Sequence, residues 1–228
     1  MPEYCVTGGT GFIAAYLIKL LLEKGHVVRT TVRDPDGYRY DVGEVSPLNE
    51  SHWSDPEYCK KHNLWYAYAK TLAEQEAWKL SKESGINLVV VNPSFVVGPL
   101  LAPQPTSTLL LILAVVKGLR GEYPNTTVGF VHIDDVVQAH ILAMEESKAS
   151  GRLICSSSVA HWSQIIEMLR AKYPSYTYEN KCSDQKGDDN PHSMDSSKII
   201  KLGLPLKTLD QMFDDCMTSF QEKGLLEY

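Results

Sequence analysis

Tyr66 and Lys70 are the two side chains of this sequence best suited to transfer a proton. They stand four residues apart in the run Tyr-Ala-Tyr-Ala-Lys, so a helix would place both on one face. A phenol alone is a weak acid at neutral pH, because its ordinary pKa is about 10. An ammonium group beside it stabilises the phenolate and makes proton transfer easier. We predict that both residues are catalytic and contact a cofactor; the alternative is a helix start whose aromatic residues only pack.

A glycine-rich run near the start predicts a phosphate-binding turn. It follows a predicted strand at Glu3–Thr7, and apolar residues then recur at helical spacing from Ile13 onward. Gly8 would permit the tight turn and Gly11 the close approach of a pyrophosphate, which the helix N-terminus would hold. The alternative is an ordinary glycine turn. The residues predicted to contact a dinucleotide here are Gly8, Thr10, Gly11, Phe12 and Ile13.

Arg33 indicates which dinucleotide would bind. It ends the second predicted strand, His26–Arg33, and Asp34 and Pro35 follow it. A carboxylate at this place suits the ribose hydroxyl of NAD, whereas an arginine suits the additional phosphate of NADP. Asp34 favours NAD, but Pro35 turns the chain away directly behind it. We therefore predict NADP as the cofactor.

Composition and charge are those of a globular protein with a core. The chain has 228 residues, 43% hydrophobic and 22% charged, with a net charge of −6 and a pI of about 5.6. This balance argues against nucleic acid or an anionic membrane as the partner. Five scattered cysteines favour reduced thiols over disulfides, and we expect a cytoplasmic protein without a signal peptide or a metal site. The longest apolar run, Leu109–Val116, is too short to span a bilayer.

The alternation of predicted strands and helices indicates the α/β class. Ile86–Asn92 is a nearly continuous apolar run, typical of a strand buried on both faces of a parallel sheet. The polar stretch from Tyr38 to Asn63 has no clear period and is predicted to be a loop. The other predicted elements are a helix at Leu64–Ser84, a helix at Thr106–Leu119, a strand at Val128–Ile133, a helix at Asp134–Glu146 capped by Asp134, a strand at Arg152–Ser156, a helix at His161–Lys172, a loop at Thr177–Met194, and two terminal helices near Ser196–Leu202 and Thr208–Lys223.

These motifs resemble the extended short-chain reductases of the dihydroflavonol 4-reductase and cinnamoyl-CoA reductase group. The runs that carry the resemblance are Thr31–Pro35, Asn49–Asp55, Asn92–Pro99 and Phe130–Val136. Within that group, the runs Ser46–Lys70, Asn92–Pro99 and Gly151–Ser163 most resemble tetraketide α-pyrone reductases, which reduce a carbonyl on polyketide precursors of the pollen wall. Cinnamoyl-CoA reductases carry a different run around the catalytic tyrosine, and Leu64 and Ala67 depart from it.

The resemblance implies further site residues and a fold. By position, Arg33 would contact the 2′-phosphate of NADP, and Pro93, Ser94, Phe95 and Val96 would line the nicotinamide. Ser107 is a weaker match for a cofactor contact. The implied fold is a Rossmann-type doubly wound parallel sheet with a small, mostly helical C-terminal substrate domain. Residues 1–98 and 128–147 would form the NADP-binding domain, and residues 99–127 and 148–228 the substrate domain, which would accept a small carbonyl compound.

The resemblance breaks between about Asp36 and Tyr38. Only 33 residues separate Val32 from Tyr66, whereas the family has three more strands and their helices there, roughly 90 residues at about 30 per strand–helix–strand unit. The family's active-site serine lies in the absent part, and Ser46 stands too close to Tyr66 to replace it.

The sheet should therefore lack its middle strands. Ile86–Asn92 would either pair with the first strand or expose an apolar edge. We interpret the chain as a splice form or a defective gene model of a reductase. The chain would be a carbonyl reductase whose activity is retained or impaired, or a remnant whose activity is lost. A reductase of CoA thioesters is a further alternative.

Overall fold

A computed structural model describes residues 3–7, 12–24, 27–31, 46–102, 104–105, 107–184 and 193–227. The predictions for Gly8, Thr10, Gly11 and Arg33 lie outside these residues, and so does the predicted break near Asp36.

Helices and strands alternate through the described residues, and the α/β class is confirmed. The strands are β1 (Glu3–Thr7), β2 (Val27–Thr31), β3 (Val89–Pro93), β4 (Phe95–Val97), β5 (Thr127–His132), β6 (Gly151–Cys155) and β7 (Ser158–His161). The helices are α1 (Phe12–Glu23), α2 (Pro56–Lys61), α3 (Trp65–Ser84), α4 (Ser107–Lys117), α5 (Ile133–Glu145), α6 (Trp162–Lys172), α7 (Ser197–Lys201) and α8 (Leu209–Glu222).

Within the described residues, the strands pair in three small groups. β1 pairs with β2, β3 with β6 and β4 with β5, all in parallel, and β7 adds to β5 in the antiparallel direction. Parallel pairs joined by helices are the units of a doubly wound fold. The division agrees with the predicted loss of middle strands, because such strands would join the first pair to the second.

The β3 strand is less buried than its apolar sequence predicted. All five of its residues are only half-buried, including Val89, Val90 and Val91. Among the described strands β3 pairs with β6 alone. The expectation of burial on both faces is therefore wrong. Of the two outcomes foreseen for this segment, the exposed apolar edge is the one that the described pairing supports.

Two apolar cores lie on opposite faces of β4 and β5. Phe130 belongs to the first core, which α4, α6 and α8 cover, and its ring makes edge-to-face contacts with Phe95, Trp162 and Phe213 at centroid distances between 5.5 and 5.8 Å. The next residue, Val131, belongs to the second core, formed with α1, α5 and β6. These two strands, rather than β3, have the two-sided burial of a central parallel strand.

Several short elements differ from the prediction. Helix α2 lies inside the predicted loop; Pro56 begins it and the Asp55 carboxylate accepts hydrogen bonds from the backbone N–H groups of Glu57 and Tyr58. Strands β4 and β7 were not predicted. Helix α5 begins one residue earlier than predicted, and the side chain of His132, not Asp134, caps it. Each of these elements is three to six residues long or a terminus, where sequence periodicity carries little information.

Candidate active site

Tyr66 and Lys70 occupy the first two turns of α3. The Lys70 Nζ atom lies 5.5 Å from the centroid of the Tyr66 ring. Tyr66 is half-buried, and Lys70 is exposed. The helix begins at Trp65, two residues after Asn63, which turns the chain with a left-handed φ of 57°. The spacing therefore places the ammonium group beside the phenol as predicted, while the catalytic role of the pair stays a prediction.

The segment predicted to line the nicotinamide runs from the end of β3 into β4. Phe95 packs its ring against Trp162 and Phe130 in the first core, and Val96 is buried in the second core. Because these two side chains are used in packing, a cofactor beside this segment would contact its backbone and the Ser94 side chain. The contact itself stays a prediction.

Ser94 leaves hydrogen-bonding capacity unused. Its backbone N–H donates to the Cys155 carbonyl at 3.1 Å, but its buried hydroxyl has no partner among the described residues. The Ser156 hydroxyl is likewise buried without one. Gly129 keeps this spot open, since a Cβ there would lie 2.9 Å from Ser156 Oγ and 3.1 Å from Ser94 Cβ. Buried polar groups without partners are uncommon in folded proteins, so the residues fit a polar ligand beside Ser94, such as the amide of a nicotinamide.

A cleft of about 440 Å³ opens next to Ser156. Hydroxyl groups and apolar side chains share its lining, which includes Ser156, Ser157, Met194, Asp195, Ser196, Ser197, Ile200, Pro205 and Leu206. Volumes of this order hold small ligands. Neither Tyr66 nor Lys70 is among these lining residues, so the cleft carries no assignment of a substrate site.

Three other predicted cofactor residues lie at the N-termini of two helices. Phe12 and Ile13 begin α1 and are half-buried, and both pack against the apolar cores. Ser107 begins α4 and is also half-buried.

Ser46 forms hydrogen bonds with Ser193. Their Oγ atoms lie 2.9 Å apart, and the Ser193 backbone N–H donates to Ser46 Oγ at 3.0 Å. The structure therefore uses Ser46 to join two loops, and that it does not replace the family's active-site serine stays a prediction.

A buried polar cluster around His132 was missed by the sequence analysis. His132 is fully buried; its Nδ1 accepts the backbone N–H of Asp134 at 2.9 Å, and its Nε2 lies 3.2 Å from Asp215 Oδ2. Lys207 Nζ donates to Asp134 Oδ2 at 2.8 Å and to Asp215 Oδ2 at 3.3 Å. The run Phe130–Val136 contains two members of the cluster, but no motif marks Lys207 or Asp215.

Burial and neighbouring charges together set the protonation of this cluster. Burial lowers the pKa of His132, and the Lys207 ammonium lowers it further, while the two carboxylates oppose both effects. The neutral ring keeps its proton on Nε2, because Nδ1 accepts a hydrogen bond. Burial also raises the pKa of Tyr16 on α1, as do Asp134 and Asp215, and the Tyr16 hydroxyl donates to the Pro99 carbonyl at 2.5 Å. We interpret the role of the cluster as structural: its contacts hold α1, β5, α5 and α8 together.

Two other kinds of site are absent from the described part of the chain. No group of three or more histidine, cysteine, aspartate or glutamate side chains among these residues could hold a metal ion. No helix there is long and apolar enough to cross a membrane.

Parallel strand–helix units that carry a Tyr-x-x-x-Lys pair define the fold of a short-chain dehydrogenase/reductase. The model of the "NAD dependent epimerase/dehydratase family" matches residues 4–63 and 40–154. The chain is 52% identical over 321 aligned positions to tetraketide alpha-pyrone reductase 2 of Arabidopsis thaliana, covering 99% of this chain and 100% of the relative. The chain belongs to this family, and the predicted resemblance to its reductases is confirmed.

Other relatives and one solved structure agree with this assignment. The chain is 43% identical to tetraketide alpha-pyrone reductase 1 of Arabidopsis thaliana, covering 88% of this chain and 61% of that one. It is 32% identical to cinnamoyl-CoA reductase 2 of Medicago truncatula, covering 97% and 92%. The crystal structure of vestitone reductase from alfalfa (Medicago sativa L.) matches with a TM-score of 0.83 at 26% identity, covering 98% and 99%.

The length of the first alignment bears on the predicted break. It runs over 321 positions, whereas this chain has 228 residues, so at least 93 positions stand opposite no residue of this chain. The family model also matches in two parts that meet within residues 40–63. The first fact agrees with the predicted size of the missing segment, and the second with a break before the Tyr66 helix.

Proposed function

We propose that this chain is a shortened NADP-dependent carbonyl reductase of the tetraketide α-pyrone reductase type, with turnover impaired by the missing segment. The observation that carries the proposal is the 52% identity to one such enzyme along 99% of this chain. The pairing of Lys70 Nζ with the Tyr66 ring at 5.5 Å supports it, because that pair would supply the proton.

The proton transfer is assigned to Tyr66. Its hydroxyl would donate to the carbonyl oxygen of a ketone or aldehyde as that oxygen gains charge. Lys70 would stabilise the phenolate that remains, because a cation beside an anion lowers its free energy. Both residues stand on one helix, so their mutual geometry does not depend on the missing strands.

The cofactor site is assigned to two groups of residues. Gly8, Thr10, Gly11 and the start of α1 would hold the pyrophosphate, and Arg33 the 2′-phosphate. The bound nicotinamide would supply a hydride to the substrate carbon. The Ser94 hydroxyl, which has no partner among the described residues, and the backbone of Pro93–Val96 would orient the nicotinamide ring.

The missing segment removes part of this arrangement. A serine that polarises the carbonyl is absent, and loss of one such donor costs on the order of 10²–10³ in rate. The absence of middle strands would add to this loss, because the adenine pocket would lose a wall between the first and second strand pairs. We therefore expect ketones and aldehydes to be reduced at near-background rates.

The exposed edge of β3 also favours a second candidate, a catalytically inactive shortened form. Such a chain would keep partial nucleotide binding or associate with a full-length subunit. A reductase of CoA thioesters is less well supported, because Leu64 and Ala67 depart from the run around the catalytic tyrosine of cinnamoyl-CoA reductases.

We infer a cytosolic location from the scattered cysteines, of which Cys59, Cys155, Cys182 and Cys216 are free thiols.

The test measures NADPH oxidation with a tetraketide pyrone and with a simple aryl aldehyde. Three proteins are compared: the chain, its Tyr66→Phe variant and Tyr68→Phe, a matched control that removes a neighbouring hydroxyl from the same helix. We expect near-background rates from all three. Tyr66-dependent turnover comparable to that of a full-length relative would refute the impairment.

A fourth protein tests the assignment as a reductase. It carries the missing strands of a related reductase, inserted after Asp36. We expect turnover that Tyr66→Phe abolishes and Tyr68→Phe leaves unchanged. A folded, restored chain without such turnover would refute the reductase assignment itself.

A further inference from the structure

Glu74, in the middle of α3, bonds this helix to two strands. Its carboxylate accepts the Asn92 side-chain amide of β3 at 3.1 Å. It also accepts two hydrogen bonds from Arg152 of β6, one from Nε at 2.7 Å and one from Nη2 at 3.3 Å. A further hydrogen bond comes from the Trp78 indole N–H at 3.1 Å. The Glu74 and Arg152 side chains are only 12% and 16% exposed. This is therefore a largely desolvated ion pair with most of its hydrogen bonds made.

Arg152 uses its remaining donors on the segment that precedes α2. Its Nη1 donates to the carbonyls of Glu50 at 2.9 Å and His52 at 2.6 Å. Its guanidinium lies 4.1 Å from the centroid of the Trp53 ring. The Glu50 carboxylate also contacts β6, because it accepts a hydrogen bond from the Ile154 backbone N–H at 3.1 Å. One side chain thus connects β6, the segment Asn49–Asp55 and the helix that carries Tyr66.

Helix α3 buries few of its side chains. Only Ala67 and Thr71 among its 20 residues are buried. Among the described elements, the short helix α2 is the one with which α3 shares extensive contact. Trp65 and Leu80 are more than half exposed. Few apolar side chains of α3 are therefore buried, which leaves the polar contacts of Glu74 as its clearest connection to β3 and β6 among the described residues.

We propose that Arg152 is a positioning residue, which through Glu74 fixes α3 on the strand pair β3–β6. In doing so it sets where Tyr66 and Lys70 stand relative to the segment Pro93–Val96. The functional meaning rests on the proposed role of Tyr66 as proton donor, whereas the positional claim does not. Removing one partner of a largely buried pair leaves the other charge uncompensated. A lysine at this position keeps the charge but lacks the planar fork that reaches Glu74 and both loop carbonyls at once.

The experiment follows the environment of Tyr66 without using cofactor or turnover. The whole chain is labelled with 3-fluorotyrosine, and substitution of single tyrosines by phenylalanine assigns the fluorine resonances of Tyr66, Tyr173 and Tyr178. The last two lie on or against α6, in the first core, and serve as internal references. Spectra are recorded for Arg152→Ala, Arg152→Lys and Glu74→Gln. The matched control is Lys172→Ala, which removes an ion pair with Asp214 that joins α6 to α8.

We expect Arg152→Ala to shift or broaden the Tyr66 resonance and to leave Tyr173 and Tyr178 in place. Arg152→Lys should restore part of the change, and Lys172→Ala should leave Tyr66 unchanged. Amide hydrogen exchange of α3 should rise about tenfold or more in Arg152→Ala, since several hydrogen bonds to a charged group are lost. Exchange of α8 should not change.

Two results would overturn the proposal. One is an unchanged Tyr66 resonance with unchanged α3 exchange in a folded Arg152→Ala protein. The other is an equal change of all three resonances, which would show a general loss of structure. If Arg152→Ala does not fold, Arg152→Lys and Glu74→Gln carry the same comparison. The test does not require turnover, so it can be carried out on an inactive chain. A failure of the positioning proposal can therefore be distinguished from a failure of the proposed function.

Discussion

Gly98 closes β4 at a point where a side chain has no room, and replacing it with alanine should destabilise the fold. Its φ of 142° lies outside the region that L residues adopt. A Cβ built there would lie 2.6 Å from Ile133 Cγ2 and 3.0 Å from His132 Nε2. Neither neighbour can withdraw easily, because both are fully buried and His132 is held by hydrogen bonds.

The magnitude follows from two separate costs. Backbone strain at a φ of this kind costs about 1–3 kcal/mol, and forcing extra volume into a packed site costs about 1–3 kcal/mol. Gly98→Ala should therefore lower the free energy of unfolding by roughly 2–6 kcal/mol. Gly203→Ala is the matched control, since Gly203 has a φ of 103° and no atom within 4 Å of its built Cβ. That variant should show the strain cost alone.

The assay is urea unfolding of the chain and both variants, followed by tryptophan fluorescence with Trp162 buried in the first core, and by far-UV circular dichroism. We expect the midpoint of Gly98→Ala to fall well below that of Gly203→Ala. Equal losses in the two variants would refute the packing argument, because the contacts with Ile133 and His132 would then contribute nothing.

Three further predictions concern binding, the exposed edge and pH. Arg33 at the end of the second strand should make the chain prefer NADPH to NADH in tryptophan-quenching titrations; equal affinities that stay unchanged in Arg33→Ala would contradict this. The exposed edge of β3 should give fast amide exchange across Leu88–Val91 and a tendency to aggregate, whereas slow exchange in a monodisperse monomer would show that the remaining strands close up. Burial keeps His132 neutral in the folded protein, so the unfolded chain alone gains a proton at the ordinary pKa of 6.5, and stability should fall as the pH drops through that value. His132→Asn should show a shallower fall in chemical denaturation at matched pH values; an identical slope would contradict the assignment.

The sequence predicted most of what is encoded locally. The spacing of Tyr66 and Lys70 guaranteed their closeness on any helix, and the bounds predicted for α3 differ from the observed ones by one residue at most. Helix α2 could have been found, because Asp55 followed by Pro56 and Glu57 is a helix-start pattern. The cap of α5 was assigned to the wrong residue because aspartate is a common cap and histidine is not.

What could not be predicted depends on partners distant in sequence. The valines of β3 have the composition of a strand buried on both faces, but burial requires neighbouring strands that the described residues do not provide. The ion pair of Glu74 with Arg152 joins positions 78 residues apart, and the contact of Lys207 with Asp134 spans 73. No periodicity or local motif reports such pairings, so both networks became visible only in three dimensions.

The arrangement of two cores has a consequence for how the stability of this chain is defined. Every fully buried member of the first core lies between Val97 and Leu226, after the predicted break, whereas the second core draws Tyr16, Leu17 and Leu21 from the N-terminal helix. Damage to the N-terminal strands should therefore act first on the second core. The two cores share β4 and β5, since Val96 and Val131 belong to the second core and Val97 and Phe130 to the first, so the damage would reach the first core through these strands. Probes placed in both cores would show whether the chain unfolds in one all-or-none transition.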